Sequence, residues 1–172
     1  MRCRPCCVLS SGIDVSIAAQ ILDIAKQRGV MVTCAESCTG GMIAAALTDI
    51  AGSSAVFERG FVTYTNAAKQ DMLDVKATTL KAHGAVSEEV AREMACGALA
   101  NSDAQIAVSV TGIAGPGGSE HKPEGRVCFG LAHNGKVFSE TIEFGALGRE
   151  KVREGARDHA LQLILSSFSR SA

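Results

Sequence analysis

Met31-Val32-Thr33-Cys34-Ala35-Glu36-Ser37-Cys38-Thr39-Gly40-Gly41 joins an apolar run to a turn of small residues. Its first half reads as a short buried strand. Its second half packs small and hydroxyl side chains into a junction with a helix. Ser37, Cys38 and Thr39 can each bond the free N–H groups of a first helical turn. Gly40 and Gly41 let a ligand approach the backbone closely. A helix start carries partial positive charge, which suits a phosphate or a developing oxyanion. Such a junction is built either to hold an anion or to expose a nucleophile.

Upstream of it, Ile17, Ala18, Ile21, Leu22 and Ala25 recur at helical spacing between Asp14 as a cap and Gly29 as a stop. A strand is expected over 30–35 and a helix over 38–50. That helix is apolar nearly all round (Met42, Ile43, Ala44, Ala45, Ala46, Leu47), so burial against a sheet is expected. A strand over 57–64 follows, then a short helix capped by Asn66 and ending at Leu73, and another over 78–83. Ser87 opens a longer helix to residue 101, with Glu88 and Glu89 in its first turn. Residues 105–111 form an apolar, β-branched strand that ends in a second glycine-rich turn, Gly112-Ile113-Ala114-Gly115-Pro116-Gly117-Gly118-Ser119. Asn134-Gly135, between strands over 126–133 and 136–144, is a hairpin signal. A helix over 149–168 closes the chain, with Val152, Ala156, Ala160, Leu163, Ile164 and Phe168 facing inward.

Helices alternating with strands, plus one late hairpin, imply a three-layer α/β/α domain with a mixed β-sheet. Ligands of such sheets bind outside the carboxyl ends of strands. Both glycine-rich junctions, after Ala35 and after Thr111, are ends of this kind and are expected to converge.

A chain of 172 residues is long enough for one domain with a substantial core. Apolar content of 47% and charged content of 20% are those of an ordinary globular protein. The net charge is −1 and Lys and Arg form no run, so no nucleic-acid partner is expected. No apolar run reaches the roughly 18 residues of a membrane span. Met1-Arg2-Cys3-Arg4-Pro5-Cys6-Cys7 lacks the apolar stretch of a secretory signal, and a cytoplasmic location is expected. Residues 1–13 are set apart as an N-terminal extension, expected to be disordered, ahead of a domain over 14–172. Seven cysteines, an odd count without framework spacing, suggest reduced thiols, with Cys34, Cys38, Cys96 and Cys128 in segments that read as core. Cys3-x2-Cys6 has no second half, so no metal site is expected.

Two phosphate motifs are absent. No G-x-x-x-x-G-K-[ST] occurs, and Gly112-x-x-Gly115-x-Gly117, interrupted by Pro116, is not G-x-G-x-x-G. His83, His121, His133 and His159 lie far from the junction and in no triad motif, so the base for a Ser37 nucleophile need not be histidine. Lys69 is the candidate, because the start of a helix disfavours a cation and lowers its pKa. The dipole supplies about 0.3–1 kcal/mol, whereas bringing a lysine from about 10.4 to near 7 takes roughly 4–5 kcal/mol. Burial or a second cation must supply the rest; otherwise Lys69 is a solvated residue on a short helix. Tyr64, the only tyrosine, either packs at a strand end or joins Ser37 and Lys69. Cys38 is a rival nucleophile, since a thiol at a helix start is activated. Arg149 and Arg153, one turn apart, either clamp a phosphate or sit on an exposed helix start.

Thr33 to Gly41, Phe61-Val62-Thr63-Tyr64-Thr65-Asn66 with Lys69, Gly84-Ala85-Val86-Ser87, and Ser109 to Pro116 with Lys122-Pro123 together resemble the C-terminal domain of the CinA (competence/damage-inducible) family. The resemblance runs over residues 17–168. It implies the same three-layer fold and the activity of a nicotinamide-nucleotide amidase, which hydrolyses nicotinamide mononucleotide to nicotinate mononucleotide and ammonia. It implies Ser37 as nucleophile, Lys69 as general base and Tyr64 as an assistant, with Thr39, Gly40, Gly41, Thr111 and Gly112 lining the pocket. Arg153 joins these as a substrate contact. No cofactor and no metal are expected; the partner is a small nucleotide, and the assembly a homo-oligomer, taken as a dimer. The pyrophosphatase activity of the other domain in full-length relatives is not carried over. Two features depart from the family pattern: the second glycine turn is about one residue short, and Glu124-Gly125-Arg126 stands where Val-Gly and a small or apolar residue are expected. This carboxylate and guanidinium either alter substrate preference or pair with each other. The alternatives are a catalytically silent nucleotide-binding module serving competence or the DNA-damage response, and a serine hydrolase of another amide or ester.

Overall fold

The computed structural model describes residues 16–119 and 121–169; Asp14 and the extension over 1–13 lie outside the described residues. The elements run α1 (Ile17–Arg28), β1 (Val32–Glu36), α2 (Met42–Thr48), β2 (Phe57–Val62), α3 (Asn66–Leu73), α4 (Ala77–His83), α5 (Glu88–Ala100), β3 (Ile106–Gly112), β4 (Arg126–His133), β5 (Lys136–Glu143) and α6 (Arg149–Ser167). The sheet order is β2-β1-β3-β4-β5. β1 pairs parallel with β2 and β3, whereas β3–β4 and β4–β5 are antiparallel. The sheet is mixed, with helices on both faces.

Alternation along the strands builds the two layers, because successive side chains point to opposite faces. Ile106, Val108 and Val110 of β3 and Val127, Phe129 and Leu131 of β4 bury their bulk against α1, α2 and α6. The intervening residues are small. Ala107 and Ala132 pack with Val90, Met94, Ala95 and Ala98 of α5 on the other face. Ser109 donates to the Ala91 carbonyl at 2.5 Å, and a Cβ on Gly130 would land on that same carbonyl. One face of the sheet is thus bulky, and the other is shaved down so that α5 lies close.

Local chemistry sets the element ends. Ser16, not Asp14, caps α1 in the described residues, and Ser87 caps α5 as expected. Thr65 rather than Asn66 caps α3, its Oγ1 accepting from the Ala68 N–H at 3.1 Å. Helix α2 starts at Met42 instead of residue 38, because Gly40 and Gly41 take φ of 60° and 102° and residues 37–41 form a turn. The helix packs on the sheet through Ile43 and Leu47, which are buried, while Ala45 on its outer side is exposed. Asn134 and Gly135 both have positive φ, 53° and 70°, as a tight primed hairpin turn requires. Cys96, expected in the core, is exposed. Among the described residues no helix is long and apolar enough to cross a membrane.

The chain leaves β1 through α2 on one face and returns to β3 from α3, α4 and α5 on the other. The carboxyl ends of β1 and β3 therefore bound the crevice where an open α/β sheet binds its ligand. Gly130→Ala is expected to lower unfolding free energy by about 1–3 kcal/mol through overpacking against α5. Chemical denaturation checks this as a lower midpoint with an unchanged m-value.

Candidate active site

Along β1, Val32 and Cys34 join the core beneath α1, α2 and α6, and Ala35 joins the opposite one. The same alternation turns Glu36 toward α2 and Ser37 toward α3. Glu36 is fully buried. Its carboxylate accepts from the N–H groups of Gly41 (2.9 Å), Ile43 (3.2 Å) and Ala44 (2.9 Å), and from the Cys34 thiol at 3.4 Å. An ionised carboxylate without solvent needs such donors. The start of α2 is therefore filled by the protein's own anion, which corrects the expectation of a cradle for phosphate or oxyanion there. Glu36 is not among the expected site residues, although an acid closing an apolar strand ahead of a glycine-rich turn is a usable signal for it.

Ser37 is held at the end of β1 by its N–H, which donates to the Val110 carbonyl of β3 at 3.0 Å. Its Oγ lies 3.0 Å from Nζ of Lys69, which comes from α3, and Nζ also donates to the Thr63 carbonyl at 2.8 Å. Lys69 is only 1% exposed. Burial pushes its pKa below the usual lysine value, with the Cys38 thiol opposing. The helix start is not the cause: Lys69 sits a full turn in, its own N–H bonded to the Thr65 carbonyl.

The Cys38 thiol is not activated. Burial pushes it up to about 12, against the opposing effects of its own backbone N–H, Lys69 and Arg153, while Glu36 adds to the rise. It stays protonated beside the serine.

A cleft of about 200 Å³ is lined by Ser37, Cys38, Tyr64, Asn66, Lys69, Ala85, Val86, Thr111, Gly112, Ala114 and Arg149. Five expected site residues, Ser37, Lys69, Tyr64, Thr111 and Gly112, meet here. Thr111 donates to the Ala85 carbonyl at 2.8 Å, fastening the far wall. The Tyr64 hydroxyl, 56% of the residue being exposed, accepts from Nη2 of Arg149 at 2.7 Å. Arg149 also donates to the Gly115 carbonyl at 3.1 Å.

Four expected residues lie off the lining. Arg153 donates to the carbonyls of Cys38 (3.0 Å) and Thr39 (2.8 Å), bracing the turn from behind instead of facing a ligand. Thr39 is buried with its Oγ1 unpartnered, Gly40 faces the Arg153 guanidinium, and Gly41 gives its N–H to Glu36. Glu124 and Arg126 neither pair with each other nor line the cleft: Arg126 pairs with Glu143 at 2.6 Å, and Glu124 accepts backbone N–H groups. His83 and His159 pair with Glu89 and Glu140, away from the serine. Asn66, Ala85, Val86 and Ala114 line the cleft unforeseen, small or neutral residues carrying no signal of their own.

The family model described as the CinA C-terminal domain matches residues 14–168. The chain belongs to the CinA C-terminal domain family. It is 52% identical over 161 residues to a nicotinamide-nucleotide amidohydrolase PncC of Enterobacter agglomerans, covering 92% of this chain and 95% of that protein. The protein of the same name from Escherichia coli K12 is 51% identical over 156 residues, covering 90% of this chain and 94% of its own length. Among solved structures, the competence/damage inducible protein CihA of Agrobacterium tumefaciens superposes with a TM-score of 0.85 at 51% identity, covering 87% of this chain and 92% of that one.

The buried amine of this CinA domain has a consequence for stability. A lysine whose pKa is lowered on folding is neutral in the native state at pH values where the unfolded chain still holds the proton. Raising the pH from that lowered value toward the usual value of about 10.4 therefore stabilises the wild type, by at most about 1.4 kcal/mol per pH unit. Lys69→Met lacks this gain. Denaturation across that window is expected to show the wild type gaining steadily on the variant as pH rises.

Proposed function

We propose that this CinA domain hydrolyses the carboxamide of nicotinamide mononucleotide to nicotinate mononucleotide and ammonia, with Ser37 as nucleophile and Lys69 as general base. The observation that carries the reading is the 3.0 Å approach of a buried amine to the Ser37 hydroxyl at the floor of a cleft. A neutral amine accepts the serine proton, and burial favours the neutral form. The names of the PncC relatives supply the substrate.

In the forward step Ser37 Oγ bonds to the carboxamide carbon and its proton passes to Lys69 Nζ. Glu36 takes the amides of Gly41, Ile43 and Ala44, so the tetrahedral oxyanion is held by donors on the cleft lining beside Ser37 instead of by the start of α2. The C–N bond then breaks as Lys69 returns the proton to departing ammonia. Water, deprotonated by Lys69, attacks the acyl ester; the ester C–O bond breaks, Lys69 returns the proton to the Ser37 oxygen, and the acid leaves as its carboxylate, losing its own proton to solvent. Arg149 and Tyr64, at the mouth, receive the phosphate end of the nucleotide. The route is metal-independent.

Ser37→Ala and Lys69→Ala are each expected to reduce ammonia release from the mononucleotide by at least about 10²–10⁴-fold, with a chelator leaving the wild type unaffected. In the wild type, kcat/KM is expected to fall as pH drops through the lowered pKa of Lys69, because protonation removes the base. Binding of the mononucleotide without ammonia release would instead mark a silent nucleotide-binding module.

A further inference from the structure

The second glycine-rich turn is fastened by a side chain that the proposed reaction does not use. Glu124, half-buried, reaches across the turn: Oε2 accepts from the Gly117 N–H at 2.6 Å and Oε1 from the Gly148 N–H at 3.2 Å. Gly115 packs directly on the same carboxyl group, where a Cβ would overlap the carboxyl carbon. Both contacts lead to Arg149. Gly148 is the residue before it, capping α6, and Gly115 supplies the carbonyl that accepts from its Nη1. One carboxylate thus fixes the backbone of Arg149 at one end and its guanidinium at the other.

We infer that Glu124 is a positioning residue that holds the Arg149 guanidinium, across the cleft mouth from Tyr64, in the orientation that reads the phosphate of the substrate. This deepens the amidase reading and rests on it. The electrostatics favour it. Free N–H groups in glycine turns are the usual cradle for a phosphate. Here Glu36 occupies those of Gly41, Ile43 and Ala44, and Glu124 those of Gly117 and Gly148. A phosphate would meet a carboxylate in either turn, so charge recognition passes to Arg149, the permanently charged side chain on the cleft lining among the described residues. A guanidinium binds phosphate through a planar fork, and the fork discriminates only when its plane is held.

The test uses the full chain. Glu124→Gln keeps the shape but turns a donor toward one of the two N–H groups. Its KM for nicotinamide mononucleotide, and the inhibition constant of ribose 5-phosphate as competitor, are expected to rise about tenfold, with kcat within about twofold of wild type. Combined with Arg149→Ala, the substitution is expected to add nothing further. Should Glu124→Gln fail to fold, Glu124→Asp, which keeps the charge and reaches one amide, is expected to give the same pattern at smaller amplitude. The inference is overturned by an unchanged inhibition constant, by a fall in kcat with KM unmoved, by effects that multiply in the double variant, or by ribose 5-phosphate failing to compete in the wild type. A wild type that turns over the mononucleotide while the variants miss this pattern overturns the role of Glu124 alone. A wild type that releases no ammonia takes the amidase reading down with it.

Discussion

A carboxylate sealed from water has to find donors, and Glu36 finds them at the start of α2. Its side chain can reach those three N–H groups only if the chain turns sharply between Ser37 and Gly41, which Gly40 and Gly41 permit through positive φ. The turn in turn leaves Ser37 at the carboxyl end of β1, on the face opposite Glu36. Arg153 then clamps the carbonyls of Cys38 and Thr39 from α6, so the turn is held by an anion on its N–H groups and a cation on its carbonyls. The same anion helps keep the Cys34 and Cys38 thiols protonated, after burial, which is the larger effect. Burial more than the charge of Glu36 is therefore what keeps the Cys38 thiol protonated beside Ser37.

The proposed reaction also requires a base, and magnitudes decide where it comes from. A helix dipole moves a lysine by well under one pKa unit, whereas full burial can move it by 3–5 units. The structure takes the larger effect: α3 is set by the Thr65 cap so that Lys69 faces inward, under Thr63 and against Ser37. Nζ keeps one carbonyl acceptor and one hydroxyl partner, enough for a neutral amine and poor solvation for an ammonium ion.

The layers were legible in the sequence because periodicity reports them directly. The alternation Ile106-Ala107-Val108-Ser109-Val110, the Ser87 cap with its acidic first turn, and Asn134-Gly135 each specify local structure within a few residues. Even Cys96 is explained by the same rule in hindsight, since it falls two positions from Met94 and so off the inner stripe of α5. The site was legible only as candidates. Ser37 and Lys69 are 32 residues apart, Tyr64 and Arg149 85, and Cys38 and Arg153 115, and no local pattern says which distant arginine braces a backbone and which faces a ligand. Two arginines one turn apart on α6 look equivalent in sequence, but α2 lies behind one and the cleft opens beside the other.

Depth explains why the two basic residues of the cleft are of different types. Arginine keeps its charge at any accessible pH, so it is useless as a base and dependable as an anchor for an anion. Lysine loses its proton when desolvated, so it serves as a base only where water is excluded. Lys69 lies on the sealed floor and Arg149 on the exposed rim. Exchanging them would leave a permanent charge buried against the serine and a protonated amine at the mouth, an arrangement that binds anions and performs no proton transfer. The cleft is therefore graded from a fixed charge outside to a titratable group inside, which suits the proposed reaction: an anchor for a phosphate at the rim and a proton acceptor at the floor.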